Sequence, residues 1–180
     1  MKMTLLGTAP KLIPRASFLS SVALSADRCI DNITDGSATK DLCQTKPEPA
    51  PWLAINFGVQ KMTSIEKVVL FNRDDCCGSR TRNVEIRLSN VMPKSARQMF
   101  TGGELLGTFE GPARVGQKID IHSRPGWEKK KGRYLIIQMD NGNEPLNLKE
   151  VFAYGITHLH THGAITFHLS LFSPFPCSWS

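Results

Sequence analysis

The stretch "RNVEIRLSN" sets Val84, Ile86 and Leu88 against Glu85 and Arg87 in strict alternation. A period of two is the signature of a half-buried β-strand, and it is incompatible with an amphipathic helix. The same period returns in "QKIDIHS" through Ile119 and Ile121. Further β-rich runs are "PWLAINFG", "TSIEKVVLFN", "GRYLIIQMD" and "LNLKEVFAYG". Turn signals such as "SNVMP" and "DNGNEP" separate them, and long helical periodicity is missing. Short strands spaced this way predict an all-β, antiparallel β-sandwich or jelly roll.

The chain has 180 residues, which suits one domain large enough to bury a core without staples. The pattern stops near Gly155. Residues 156–180 carry no charged residue apart from histidine and have no evident place in the sandwich. The expected division is therefore an N-terminal extension over 1–14, a β-sandwich over 15–155 and a poorly ordered appendage over 156–180.

A net charge of +6 is spread thinly, and its densest run, "EKKKGR", reads as a solvated loop. Nucleic-acid binding would need a basic stripe interleaved with aromatics, so that partner is not expected. No run approaches the roughly 20 apolar residues of a membrane span. The N-terminus is a poor secretory signal, broken by Pro10, Lys11 and Pro14. "NIT" at Asn32 is a glycosylation sequon, which matters only on the secretory route. Neither a Ser-His-Asp order nor paired carboxylates in a marked context nor a phosphate loop is visible, so an enzyme is not expected. "HLHTH" sets His158, His160 and His162 at alternate positions without a carboxylate or cysteine to complete a metal set.

Chemistry concentrates in "FNRDDCCGSRTR". Cys76 and Cys77 are neighbours, so a bond between them would close almost no loop and could not act as a staple. Either they are free thiols, acting as small apolar side chains, or they form a strained ring with a flat, polarisable face. Arg73 and Arg80 flank them, each a rigid fork of donors, and Asp75 is placed to hold one fork. An apolar plate beside fixed donors suits a sugar ring, and it contains no acid–base or nucleophilic group.

This stretch resembles the signature of the F-type lectins, fucose-binding relatives of the coagulation-factor discoidin domains. Their motif is Arg-x-Asp-x4-Arg or Lys, usually with adjacent cysteines inside. Arg73, Asp75 and Arg80 have that spacing, with Cys76 and Cys77 between them. "DNITDGS" is similar to the family's calcium loop, "CQTKPEPAPW" to its Cys-x-His-Thr segment, and "GRYLIIQM…LNLKEVFAYG" to its closing strands. The resemblance implies an eight-stranded antiparallel jelly-roll β-sandwich, galactose-binding-domain-like, that binds L-fucose-containing glycans outside the cell. In that reading Arg73 and Arg80 donate to sugar oxygens, an oxidised Cys76–Cys77 pair stacks on the sugar, and Asp75 orients the site. Affinity would come from several sites acting together, as in a homo-oligomer. Structural calcium is implied too, with Asn32, Asp35, Ser37 and Glu150 as ligands and Leu42 offering at most a carbonyl.

Three departures stand out. Gln44 occupies the position nearest the family's sugar-binding His. Lys149 replaces the cysteine that would partner Cys43, leaving Cys43 free or paired with Cys29 and loosening the loop around Gln44. "PWLAINFG" loses an Arg and an Asp to Ala54 and Asn56. The alternative is thus a degenerate discoidin-like adhesion module with sugar binding weakened or lost. A second alternative is an accessory domain of an enzyme whose catalytic part lies elsewhere.

Overall fold

The computed structural model describes residues 9–35, 40–58 and 61–159. Ten antiparallel strands form it: β1 (Ala16–Leu19), β2 (Cys43–Gln44), β3 (Trp52–Asn56), β4 (Lys61–Phe71), β5 (Val84–Ser89), β6 (Glu104–Phe109), β7 (Lys118–His122), β8 (Tyr134–Met139), β9 (Asn147–Leu148) and β10 (Glu150–Leu159). Five strands make one sheet in the order β1-β3-β8-β5-β6, and three make the other in the order β10-β4-β7. Those eight strands are the expected jelly-roll sandwich, and β2 with β9 adds a small ribbon at its edge.

The alternating residues build the interior as the period predicts. Val84, Ile86 and Leu88 of β5 meet Ile65, Val68 and Leu70 of β4 and Ile119 and Ile121 of β7 in one core. β3 departs from simple alternation: Trp52, Leu53, Ala54 and Ile55 are all buried. It lies inside its sheet, between β1 and β8, and its outer face is covered as well. Trp52, Ala54 and Ile136 pack there under Met92, Ala96 and Phe100 from the β5–β6 connection. A strand covered on both faces reads as a continuous apolar run.

β4 and β10 form the long pair of the smaller sheet, Lys61 to Phe71 against Leu159 to Glu150. Their register shifts at Tyr154/Gly155, where β4 inserts Glu66 as an extra residue. Gly155 is required at this bulge, because a Cβ there would lie 2.0 Å from the Ser64 carbonyl oxygen.

The position expected as a boundary at Gly155 lies inside this pairing, and part of the segment before Arg15 runs along its edge. Residues 9–12 run beside β10: Leu12 N–H donates to Ala153 O at 2.7 Å and Gly155 N–H to Pro10 O at 3.0 Å. Leu12 itself joins the core. β10 continues to Leu159, where His158 Nε2 lies 3.0 Å from Ser64 Oγ. The rest of the 156–180 segment, with His160 and His162, lies outside the described residues. Among the described residues, no helix is long and apolar enough to cross a membrane.

Candidate functional site

The loop after β4 begins with a buried anchor. Asn72 Nδ2 donates to Gly78 O at 3.0 Å and Arg114 O at 2.8 Å, and its Oδ1 accepts from Thr81 Oγ1 at 2.8 Å. A side-chain amide with three partners closes the loop on itself and on the segment before β7. Gly78 belongs to that closure, since a Cβ there would meet Val115 N at 2.6 Å. With its base tied, the loop presents residues 74–77 outward, and all four are exposed.

Arg73 lies at the wall of this projection and is only 8% exposed. Its Nε and Nη2 donate to Asp75 Oδ1 and Oδ2, both at 2.7 Å. This bidentate fork fixes the plane of the guanidinium. Asp75's hydrogen bond raises the Arg73 pKa further above its usual value, and the same bond holds the Asp75 carboxyl well below the ordinary carboxylate range. Nη1 of Arg73 takes no partner among the described residues. Arg80, half-buried, is braced differently: its Nε donates to Glu144 Oε2 at 2.9 Å, which leaves both Nη groups for other partners. Asn141 supports this corner by accepting Glu144 N–H at 3.2 Å while donating to Arg80 O at 3.3 Å.

Cys76 and Cys77 are both free thiols and both exposed, the first of the two readings open from the residues, where the resemblance implies an oxidised pair. A side-chain hydrogen bond that Cys76 makes to Cys77 raises the Cys76 pKa above its usual value. Cys77 adopts φ 56°, a left-handed conformation that turns the chain into the short 3-10 turn Gly78–Arg80. Among the described residues the disulfide lies elsewhere, between Cys29 and Cys43.

Gln44 sits on β2, whose partner β9 lies in the same connection as Glu144. Its backbone bonds Leu24, and its half-buried side chain takes no partner among the described residues. Thr45 continues the tie: its N–H donates to Leu146 O and its Oγ1 accepts from Leu146 N–H, both at 3.0 Å. The β2 segment is therefore fixed to the residues that carry Glu144, and through it to Arg80.

The loss of the Cys43 partner at position 149 does not leave the region untied. Lys149 is buried, and its Nζ donates to Asp74 Oδ2 at 2.8 Å. An ion pair thus joins the start of β10 to the residue next to Arg73, while Cys43 is tied to Cys29 instead. Neither Glu144 nor Asp74 is marked in the sequence. Their partners lie 64 and 75 residues away, and no local pattern signals the pairing.

The residues expected to hold calcium are scattered in accessibility and mostly engaged. Glu150 is buried, accepting Asn32 N–H on Oε2 and Val151 N–H on Oε1. Burial pushes its pKa up to about 7, against the pull of those two N–H groups. Asn32 Oδ1 accepts from Lys11 Nζ at 2.6 Å. Burial lowers the Lys11 pKa, and the Glu150 charge opposes that shift. The Leu42 side chain is buried, Asp35 is exposed, and Ser37 lies outside the described residues. Among the described residues, then, an ammonium already holds the Asn32 side-chain oxygen that the expected calcium set would use.

Residues 32–103 match the profile described as NedA-like, galactose-binding domain. Among curated proteins, the chain is 27% identical over 146 residues to a pentraxin fusion protein of Xenopus laevis, covering 79% of this chain and 32% of that protein. The chain thus spans about a third of the length of this relative. Among solved structures, it superposes on a mutant lectin-binding domain of lectinolysin in complex with Lewis b, with a TM-score of 0.62, 24% identity, and 82% and 98% of the two chains covered. It also superposes on a fucolectin from the serum of striped bass, Morone saxatilis, with a TM-score of 0.65, 21% identity, and 78% and 46% coverage. At such identities the superpositions speak to the fold. Residues 32–103, which include the arginine motif, are thus similar to an F5/F8 type C-like galactose-binding domain, and the superpositions show that the fold is of the same β-sandwich kind.

Proposed function

We propose that this chain is a non-catalytic carbohydrate-binding domain, that fucose-containing glycans are its ligands, and that it works outside the cell with several copies supplying avidity. One observation carries the reading: a guanidinium locked by a bidentate carboxylate, with its remaining edge unpartnered, stands next to two exposed sulfur atoms on a braced loop. Forks fixed before binding lose little entropy when they meet hydroxyl oxygens. The sulfur face supplies the apolar contact that a deoxy sugar presents. The neighbours solved with Lewis b and named as fucolectin support the choice of fucose.

The test is calorimetric titration with L-fucose, paired with a glycan array and an Arg73→Ala control. Saturable binding lost in the control supports the reading. A flat titration and an array without fucosylated hits at high protein density would sink it. The titration should be run on reduced and oxidised protein, because the stacking role of Cys76 and Cys77 is best served by the closed ring. The second reading, an adhesion module with weakened sugar binding, is favoured by Gln44 and by the free thiols. In that case both redox forms would fail to bind sugar while the fold stays intact.

A further inference from the structure

We infer that the Lys11 ammonium is the built-in cation of the Asn32–Glu150 cluster, standing in the position that a calcium ion is expected to take, so that this loop is held without metal. The inference rests on the path of the chain outside the sandwich strands and stands whether or not the arginine loop takes a sugar.

Lys11 is placed by backbone bonds. It bridges Tyr154 of β10, with Leu12 N–H on Ala153 O and Gly155 N–H on Pro10 O to either side. From there its side chain crosses the Phe152 ring, with Nζ 3.2 Å from the ring centroid. The ring's negative face attracts the charge. Phe152 is itself packed edge-on against Phe71, at 5.0 Å between centroids, so the platform is fixed. Beyond the ring Nζ reaches Asn32 Oδ1 at 2.6 Å. Asn32 adopts φ 69°, a left-handed conformation that asparagine tolerates better than most residues. Its own N–H is taken by the Glu150 carboxylate.

The cluster thus gathers an amide oxygen, a buried carboxylate and the neighbouring Asp31 side chain, which caps Ile33 N–H at 2.9 Å. Oxygens gathered this way suit a cation, and the ammonium is a compact point charge with three donors. It needs only two or three oxygens where calcium needs six or more. A calcium ion on Asn32 Oδ1 would have to displace a like charge. Lys11 and calcium are therefore alternatives, and the chain carries the first within its own sequence.

Thermal melting of the full chain with EGTA or millimolar calcium tests this, alongside Lys11→Met, which keeps an apolar stem over Phe152 and removes the charge. For the native chain the two Tm values should agree within about 1 °C. Lys11→Met should melt lower in EGTA and regain about 4 °C or more with calcium, the size expected of a ligand well above its Kd. Calorimetric titration should show calcium heats in the variant only. Lys11→Gln, which retains a hydrogen-bond donor for Asn32 without charge, serves if the Met variant does not fold. Micromolar calcium binding by the native chain overturns the inference without need of any variant. Absence of a calcium response in both variants overturns it equally, since the position would then not be one that takes a cation.

Discussion

The arginine loop and the Asn32–Glu150 cluster are both knots of opposite charge near the ends of strands, yet they differ in what they leave unsatisfied. In the loop, Asp75 and Glu144 each hold an arginine by one edge, and the other edges have no partner among the described residues. In the cluster, the Asn32 oxygen and both Glu150 oxygens already accept from the chain. Carboxylates in the first fix guanidinium groups by one edge and leave the other edges unpaired among the described residues, whereas in the second they are consumed by internal bonds. Buried polar groups are nearly always paired in folded proteins. A binding site is thus recognised by donors that are rigid and still unspent, and a structural knot by groups that are fully engaged.

Removing the aimed donor breaks this contrast most severely. Arg73→Ala should weaken glycan binding by about 2–3 kcal/mol, roughly 30- to 150-fold, as expected for charge-assisted hydrogen bonds to a ligand. Array signal and fucose calorimetry report it directly, and retention of full affinity would move the site elsewhere. Next in size is Asp74→Asn, which takes a charge from buried Lys149 at the point where β10 meets the loop. Because Asp74 is half in solvent, the loss should be about 1–2 kcal/mol of stability, below the range for fully buried pairs. Urea unfolding should show a lower midpoint at constant m-value, and an unchanged midpoint would reduce the pair to decoration.

What the sequence made legible follows the same division between local and distant bonds. The strands were readable because a period of two is local, as in Val84, Ile86 and Leu88. The Arg73–Asp75 fork was readable because its members are two residues apart. The Cys29–Cys43 bond stayed open, since pairing is a matter of approach in space and spacing does not fix it. Lys149 was legible as a missing cysteine but not as a buried ion pair, because a lysine on a strand ordinarily implies solvent. Lys11 fell in a segment set aside as an extension. Only the pairing of residues 9–12 with β10 shows that the segment completes the sheet edge.

A smaller effect sharpens the comparison from the other side. F-type lectins, by the resemblance above, carry His near the position of Gln44, whose side chain is without a partner among the described residues. Gln44→His should therefore strengthen fucose binding by about 1 kcal/mol, roughly fivefold, the usual worth of one added hydrogen bond. It should leave Tm unchanged, since no internal bond of Gln44's side chain is lost. A variant that binds no better would show that the ribbon holds this position away from the sugar.

The smallest expected change is the response of the fork to acid. Asp75 is held below the usual carboxylate range chiefly by its hydrogen bond from Arg73, so the folded state favours the ionised form. For a carboxyl depressed in this way, the stabilising contribution is complete above the unfolded value, about 3.9, and is lost only as pH falls through the lower folded value. Between pH 7 and pH 5 the fork should therefore not loosen at all. A carbon NMR titration of the Asp75 carboxyl is the direct measurement. It should remain ionised at pH 4, where an unperturbed aspartate is half protonated. In Arg73→Ala the same signal should titrate near the ordinary value. If Asp75 titrates normally in the native chain, the two arginine–carboxylate bonds are not held in solution, and the loop carries a mobile guanidinium in place of an aimed one.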